Sequence, residues 1–129
     1  MEQYLIDTNV VSGYLSASLP VAGLTLLDKI IDAIPKISVI SQIELLSWET
    51  DNATAINVEN FISDASIFNL TPETIISCVQ LRKKRKIKIP DAIIAATALV
   101  HNCTLVTNNE KDFSNIKDLK IINPSKLPH

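Results

Sequence analysis

The sequence predicts an α/β fold in which a parallel sheet is covered by helices on both faces. Short runs of β-branched and aliphatic residues alternate with longer segments of helical period, which is the sequence form of that class. Strands separated by helices imply right-handed crossovers and a sheet buried on both sides. Composition agrees: of 129 residues, 47% are apolar and only two are glycine, as in a helix-rich globule with one core. A single domain over residues 1–129 is expected.

Taken in order, Gln3–Ile6 predicts a strand ending at Asp7, and Asn9–Leu15 a short helix that Ser18-Leu19-Pro20 breaks. Gly23–Ile34 resumes helical period through Leu24, Leu27, Ile30, Ile31 and Ile34, and Pro35 closes it. Lys36–Ile40 predicts a second strand, passing at Ser41 into a helix to about Glu49, with another helix over Thr54–Ala65. Ser66–Leu70 predicts a third strand. Thr71-Pro72-Glu73 then places a cap residue, a proline and an acid where a helix starts, and Ile75, Ile76, Val79 and Leu81 follow. After Ile89-Pro90, residues Asp91–Asn102 are apolar on nearly every side, which predicts an interior helix. Cys103–Val106 and Lys120–Ile122 complete the sheet.

The net charge of −2 excludes a generally basic polyanion binder, and the few aromatics exclude an aromatic-sheet platform for RNA bases. Half of the basic residues nevertheless fall in one run, Arg82, Lys83, Lys84, Arg85 and Lys86 with Lys88 nearby. That run suits a nucleic-acid substrate meeting a metal site, or equally a solvated helix end whose cations complement the macrodipole. Two lone cysteines, Cys78 and Cys103, make no disulfide framework and point to reduced thiols in the cytosol. The chain enters Tyr4-Leu5-Ile6-Asp7 with no basic leader, and no apolar stretch is long enough to span a membrane. A soluble cytoplasmic protein is expected.

In open parallel sheets the binding crevice lies beyond the carboxyl ends of the strands. Asp7, Glu44, Asp91 and Asp112 all follow strands or open helices there. Carboxylates gathered in this way suit Mg²⁺ or Mn²⁺, which take oxygen ligands and keep waters, and such an ion activates water against a phosphodiester. Without a cation the gathering is costly, because two carboxylates ~5 Å apart repel by roughly 3 kcal/mol at an effective dielectric near 20. Each acid also has a local explanation. Asp7 suits a helix cap, Ser41-Gln42-Ile43-Glu44 has the form of a capping box, Asp91 opens a helix after Pro90, and Asp112 sits in a polar turn. Four independent caps need not fall on one side of one sheet. His101, at a helix end, and His129, the last residue, do not make a catalytic pair; His101 is expected to be satisfied by local carbonyls.

The blocks Leu5-Ile6-Asp7-Thr8-Asn9, Ile43-Glu44-Leu45-Leu46, Pro90-Asp91-Ala92-Ile93-Ile94-Ala95-Ala96 and Leu105-Val106-Thr107-Asn108-Asn109-Glu110-Lys111-Asp112-Phe113 together resemble a PIN domain. More narrowly they are similar to VapC-type toxins of bacterial toxin–antitoxin pairs. The resemblance spans essentially the whole chain. It implies a three-layer α/β/α sandwich and a homodimeric endoribonuclease that cuts structured RNA with Mg²⁺ or Mn²⁺, silenced by a small antitoxin. It further implies Asp7 and Asp91 as principal metal ligands, Asp112 completing the site, and Glu44 binding metal directly or through water. Thr107 and Asn9 match polar residues beside the metal, and Asn109 the usual asparagine of the loop, with Asn108 as an alternative.

A haloacid-dehalogenase-like phosphotransfer enzyme needs a second Asp two residues after the first, where Asn9 stands. A receiver domain needs adjoining acids and a later lysine, and neither is evident. A PIN-like domain that binds RNA or a partner without cutting is the remaining alternative.

Overall fold

The computed structural model describes residues 2–127, so His129 lies outside the described residues. Five short strands form the sheet: β1 (Tyr4–Ile6), β2 (Lys36–Ser38), β3 (Ser66–Phe68), β4 (Thr104–Val106) and β5 (Ile121–Ile122). Their order is β3-β2-β1-β4-β5, and every pairing is parallel. The connecting helices are α1 (Thr8–Leu15), α2 (Val21–Asp32), α3 (Val39–Leu46), α4 (Asn52–Asp64), α5 (Pro72–Lys84), α6 (Ile89–Val100) and α7 (Glu110–Phe113).

Alternation along the strands sorts the core into two halves. Ile6 and Val106 join Val10, Val11, Leu27, Leu45, Val58 and Phe61 under α1–α4. Their neighbours Leu5 and Leu105 face the other way, into Ala92, Ile94, Ala95 and Ala98 of α6. The β1–β4 register, Leu5 opposite Leu105 and Ile6 opposite Val106, sets like-facing residues side by side. The result is the three-layer α/β/α sandwich with a parallel sheet.

Local chemistry explains most boundaries. The Asp51 carboxylate accepts from the Thr54 amide and caps α4, and Thr71 caps α5 ahead of Pro72. Of the boundaries that differ from the sequence expectation, three have a plain local cause. The second strand stops at Ser38 rather than Ile40, because the Ser38 hydroxyl accepts from the Ile40 amide at 3.1 Å and starts α3 there. The helix expected to reach Ile34 ends at Asp32; a residue preceding proline is driven out of the helical region, and Ile34 stands exposed ahead of Pro35. In α6, Ile89 and Pro90 belong to the first turn instead of preceding the helix, and Ala92–Ala98 are all buried.

Helix α5 also departs from expectation. Its apolar residues Ile75, Ile76 and Val79 face outward, about half exposed, while Thr74 is fully buried. Thr74, Ser77 and Cys78 keep the inward face small, which suits close packing against alanine-rich α6. Both cysteines are free, Cys103 buried and Cys78 half-buried. Among the described residues, no helix is long and apolar enough to cross a membrane.

Gly23 allows α2 to meet the C-terminal segment. A Cβ built there would lie 2.3 Å from the Pro124 carbonyl oxygen, so the backbone would have to move. Gly23→Ala is expected to destabilise the fold by about 1–3 kcal/mol, as overpacking does, which urea denaturation measures.

Candidate active site

The chain builds β1, β2 and β3 outward in one direction and then places β4 on the other side of β1. That reversal opens a crevice beyond the ends of β1 and β4. Asp7 leaves β1 there and Thr107 leaves β4, and the Asp7 amide donates to the Val106 carbonyl at 2.9 Å. Asp7 is 6% exposed. Its Oδ1 accepts from the Thr8 amide at 2.8 Å, and its Oδ2 accepts from Thr107 Oγ1 at 2.8 Å. The cap on α1 and the seat at the strand end are therefore the same geometry. Thr107 Oγ1 also accepts from the Asn109 amide at 3.0 Å, tying the following loop to Asp7.

Glu44 reaches this crevice from α3, where it is exposed. Its Oε1 accepts from Thr8 Oγ1 at 2.6 Å, and Thr8 Oγ1 lies 2.9 Å from Ser41 Oγ. The capping-box reading of Ser41 and Glu44 fails, because α3 begins at Val39 and Ser38 caps it. Ser41 is instead fully buried inside the helix. Thr8, to which the sequence reading gave no role, and Ser41, which it read as a helix cap, thus join two acids from distant segments. Their signal was present: Thr8 adjoins Asp7, and Ser41 precedes Glu44 by three residues, on the same helical face.

Asp91 is half-buried in the first turn of α6. Asp112 lies exposed in α7, a helix missed by sequence reasoning. Asn109 caps α7 and fixes that acid: its Nδ2 donates to Asp112 Oδ2 at 2.8 Å. Asn108 takes another part, accepting from Ser125 Oγ at 2.9 Å. Glu110 Oε2 accepts from Lys126 Nζ at 2.7 Å and from Asn123 Nδ2 at 3.2 Å, so the C-terminal segment holds the loop that carries Asp112.

Neighbouring acids act on Asp7 and on Asp91. Burial raises the Asp7 pKa above its ordinary value, against hydrogen bonds from Thr107 and Thr8, and the charges of Asp91 and Glu44 raise it further. Burial also raises Asp91, aided by Asp112 and Glu44 and opposed by Lys88. Among the described residues the one ion pair is Lys126–Glu110, so none of the four acids is in an ion pair, and Lys88 acts on Asp91 only by its charge. Nor, among those residues, do three acidic, histidine or cysteine side chains close into a ready cage for a metal ion. An all-oxygen set of this kind fits Mg²⁺, which is held by one or two carboxylates and keeps several waters.

The other predicted residues divide. Asn9 lines a separate groove with Thr8, Ser12, Glu44, Leu45 and Trp48. Arg82, Lys86 and Lys88 line a cleft with Asp112. Lys84 and Arg85 border a different cavity, and the Arg85 guanidinium donates to the Asn115 carbonyl. Lys83 is exposed. His101 is not satisfied by local carbonyls as expected; its ring stacks on Phe68 at 4.0 Å, and Nε2 is buried without a partner. Stacking, rather than hydrogen bonding, seats it.

Thr107→Val removes the hydroxyl on Asp7 while keeping the side chain's shape. The expected result is a lower melting temperature, because the buried Asp7 carboxylate and the Asn109 amide each lose a hydrogen-bond partner, at a cost of about 1–3 kcal/mol. Scanning calorimetry measures it.

A family model for the PIN domain matches residues 4–119. Among curated proteins, none matches the chain significantly. Among solved structures, a toxin–antitoxin complex from Klebsiella pneumoniae contains a chain similar at 27% identity with a TM-score of 0.79, covering 97% of this chain and 100% of that one. VapBC2 from Rickettsia felis, bound to a DNA fragment from its promoter, is similar at 25% identity with a TM-score of 0.75, over 93% and 97% of the two chains. FitAcB from Neisseria gonorrhoeae shares the fold at 22% identity with a TM-score of 0.79, over 97% and 100%.

Proposed function

The chain belongs to the PIN-domain family, and from that premise we propose that it is a Mg²⁺- or Mn²⁺-dependent endoribonuclease, the toxin of a toxin–antitoxin pair. The observation that carries this reading is the buried Asp7 carboxylate at the sheet's switch point, on which Asp91 and Glu44 act by charge as Asp112 and Glu44 act on Asp91, with none of the four in an ion pair. A divalent ion there supplies charge that neutralises the acids, polarises the phosphate and acidifies water.

The chain's own groups do the rest. Asp7 and Asp91 would be the principal ligands, and Asp112, oriented by Asn109, would complete the set. Thr107 holds Asp7 in place, and Thr8 fixes Glu44, which would hold the ion directly or through water and would accept the proton of an attacking water. Arg82, Lys86 and Lys88 beside Asp112 hold the RNA backbone; Lys83, Lys84 and Arg85 contribute less, because Arg85 is already engaged with Asn115. The substrate class is structured RNA such as transfer or ribosomal RNA.

A small antitoxin partner is supported by the toxin–antitoxin complexes among the similar structures. A homodimer is supported by Ile75, Ile76 and Val79, apolar side chains left exposed on α5. The cytoplasm suits two unpaired thiols.

The test is a labelled structured RNA incubated with Mg²⁺, with EDTA, and with Asp7→Asn. Cleavage only in the first arm is expected. Binding without metal-dependent products would favour a non-cutting RNA-binding domain.

A further inference from the structure

The groove between α1 and α3 shares Thr8 and Glu44 with the acidic site, and the rest of its lining is unused by the chemistry above. It has a volume of ≈ 320 Å³ and is lined by Thr8, Asn9, Ser12, Glu44, Leu45 and Trp48. Trp48 is the chain's one tryptophan. It follows Glu44 by four residues, and its amide donates to the Leu45 carbonyl at 3.3 Å, so the α3 turn continues far enough to set both side chains on one face. Part of the indole packs on the core under α1–α4 and part remains open to the groove. On the facing wall, exposed Asn9 offers an amide with donors and an acceptor, and the Ser12 hydroxyl donates to the Asn9 carbonyl at 3.0 Å.

The two sides of the acidic site differ in charge. The cleft beside Asp112 carries Arg82, Lys86 and Lys88. The groove beside Glu44 carries no cation and one carboxylate. A phosphate is repelled from such a groove, whereas a neutral planar group is not. An indole face, a leucine floor and a side-chain amide are the parts that stack a base and read its edge.

We infer that the α1–α3 groove is a nucleobase subsite, in which the base flanking the scissile phosphate stacks on Trp48 and is read by Asn9. The inference rests on the ribonuclease reading. An RNA strand then crosses the site with its phosphates on the Arg82–Lys86–Lys88 side and one base on the Trp48 side. Sequence preference around the cleavage point comes from this groove.

The single tryptophan makes the test direct. Short single-stranded oligoribonucleotides of one base each (A, U or C), and an abasic strand of the same length, are titrated into full-length Asp7→Asn protein with Mg²⁺. Anisotropy of a labelled strand reports binding, and intrinsic fluorescence reports Trp48. The expected result is saturable quenching with the same Kd as anisotropy for at least one base, and none with the abasic strand. Trp48→Ala weakens that strand about tenfold or more, Trp48→Phe largely restores it, and Asn9→Ala narrows the difference between bases. Should Trp48→Ala fold poorly, the quenching data and the Asn9 variant decide alone. Binding by anisotropy with unchanged Trp48 fluorescence for every strand would overturn the subsite and leave the ribonuclease reading standing. Absence of binding by every strand, together with no metal-dependent cleavage of structured RNA, would remove both. A Trp48 signal that answers only to a co-purified small partner protein would assign the groove to that partner and overturn the inference.

Discussion

Asp7→Asn is expected to abolish RNA cleavage, by roughly a thousandfold or more, while making the metal-free protein more stable at neutral pH. Both halves come from one carboxylate. Asp7 is buried at the end of β1, its two oxygens held by the Thr8 amide and the Thr107 hydroxyl, with Asp91 and Glu44 acting on it from nearby. Those surroundings favour its neutral form and raise its pKa. A carboxylate whose folded-state pKa exceeds its unfolded value binds the extra proton in the folded state, so stability falls as pH rises from the unfolded value through the folded one. The cost is fully present once pH exceeds the folded value, and Asp91 contributes in the same direction. Asparagine removes the charge, keeps an oxygen for the Thr8 amide and keeps the shape. Metal-free Asp7→Asn should therefore melt a few degrees above the parent protein at pH 7, with the gap closing as pH falls toward about 4. Millimolar Mg²⁺ should reverse the order, because ligand binding stabilises only the protein that binds it. A variant that lost activity merely by misfolding would melt lower in every condition. Scanning calorimetry with and without EDTA separates the cases.

The second large effect concerns the basic run. Replacing Arg82, Lys86 and Lys88 together by alanine should weaken RNA binding by about a hundredfold or more at low salt and flatten its salt dependence. Each phosphate contact on a single strand contributes roughly 0.7 to the slope of log K against log salt, so three lost contacts change the slope by about 2. Replacing Lys83 and Lys84 instead should do much less, since neither borders the cleft beside Asp112. Equal effects from the two sets would mean that the run acts as a diffuse surface charge. Nitrocellulose filter binding over a salt series distinguishes the outcomes.

The sheet and its acids were legible because their signals are local. Strand β1 ends where a polar triplet interrupts aliphatic residues, and α6 is unmistakable from seven consecutive buried positions, Ala92–Ala98. Asp7 and Asp91 are conspicuous for the same reason, each opening a helix beside apolar neighbours. What escaped was contact across the chain. Thr8 and Glu44 are 36 residues apart, and no periodicity announces a hydroxyl that serves a distant carboxylate. Four-residue α7 is shorter than a period that a pattern can register, although its cap, Asn109, was in view. The outward Ile75, Ile76 and Val79 mimic a core face, because apolar residues at helical spacing read the same in sequence whether they turn toward the sheet or away from it. The split of the basic run depended on a carbonyl at Asn115, which sequence spacing does not reveal.

The most direct measurement is anomalous diffraction from crystals of this protein grown with Mn²⁺. A manganese peak within ligand distance of an Asp7 or Asp91 oxygen, absent from Asp7→Asn crystals under the same conditions, is the predicted result. Manganese bound elsewhere, with the crevice beyond β1 and β4 left to water, would contradict a divalent-ion centre at these acids.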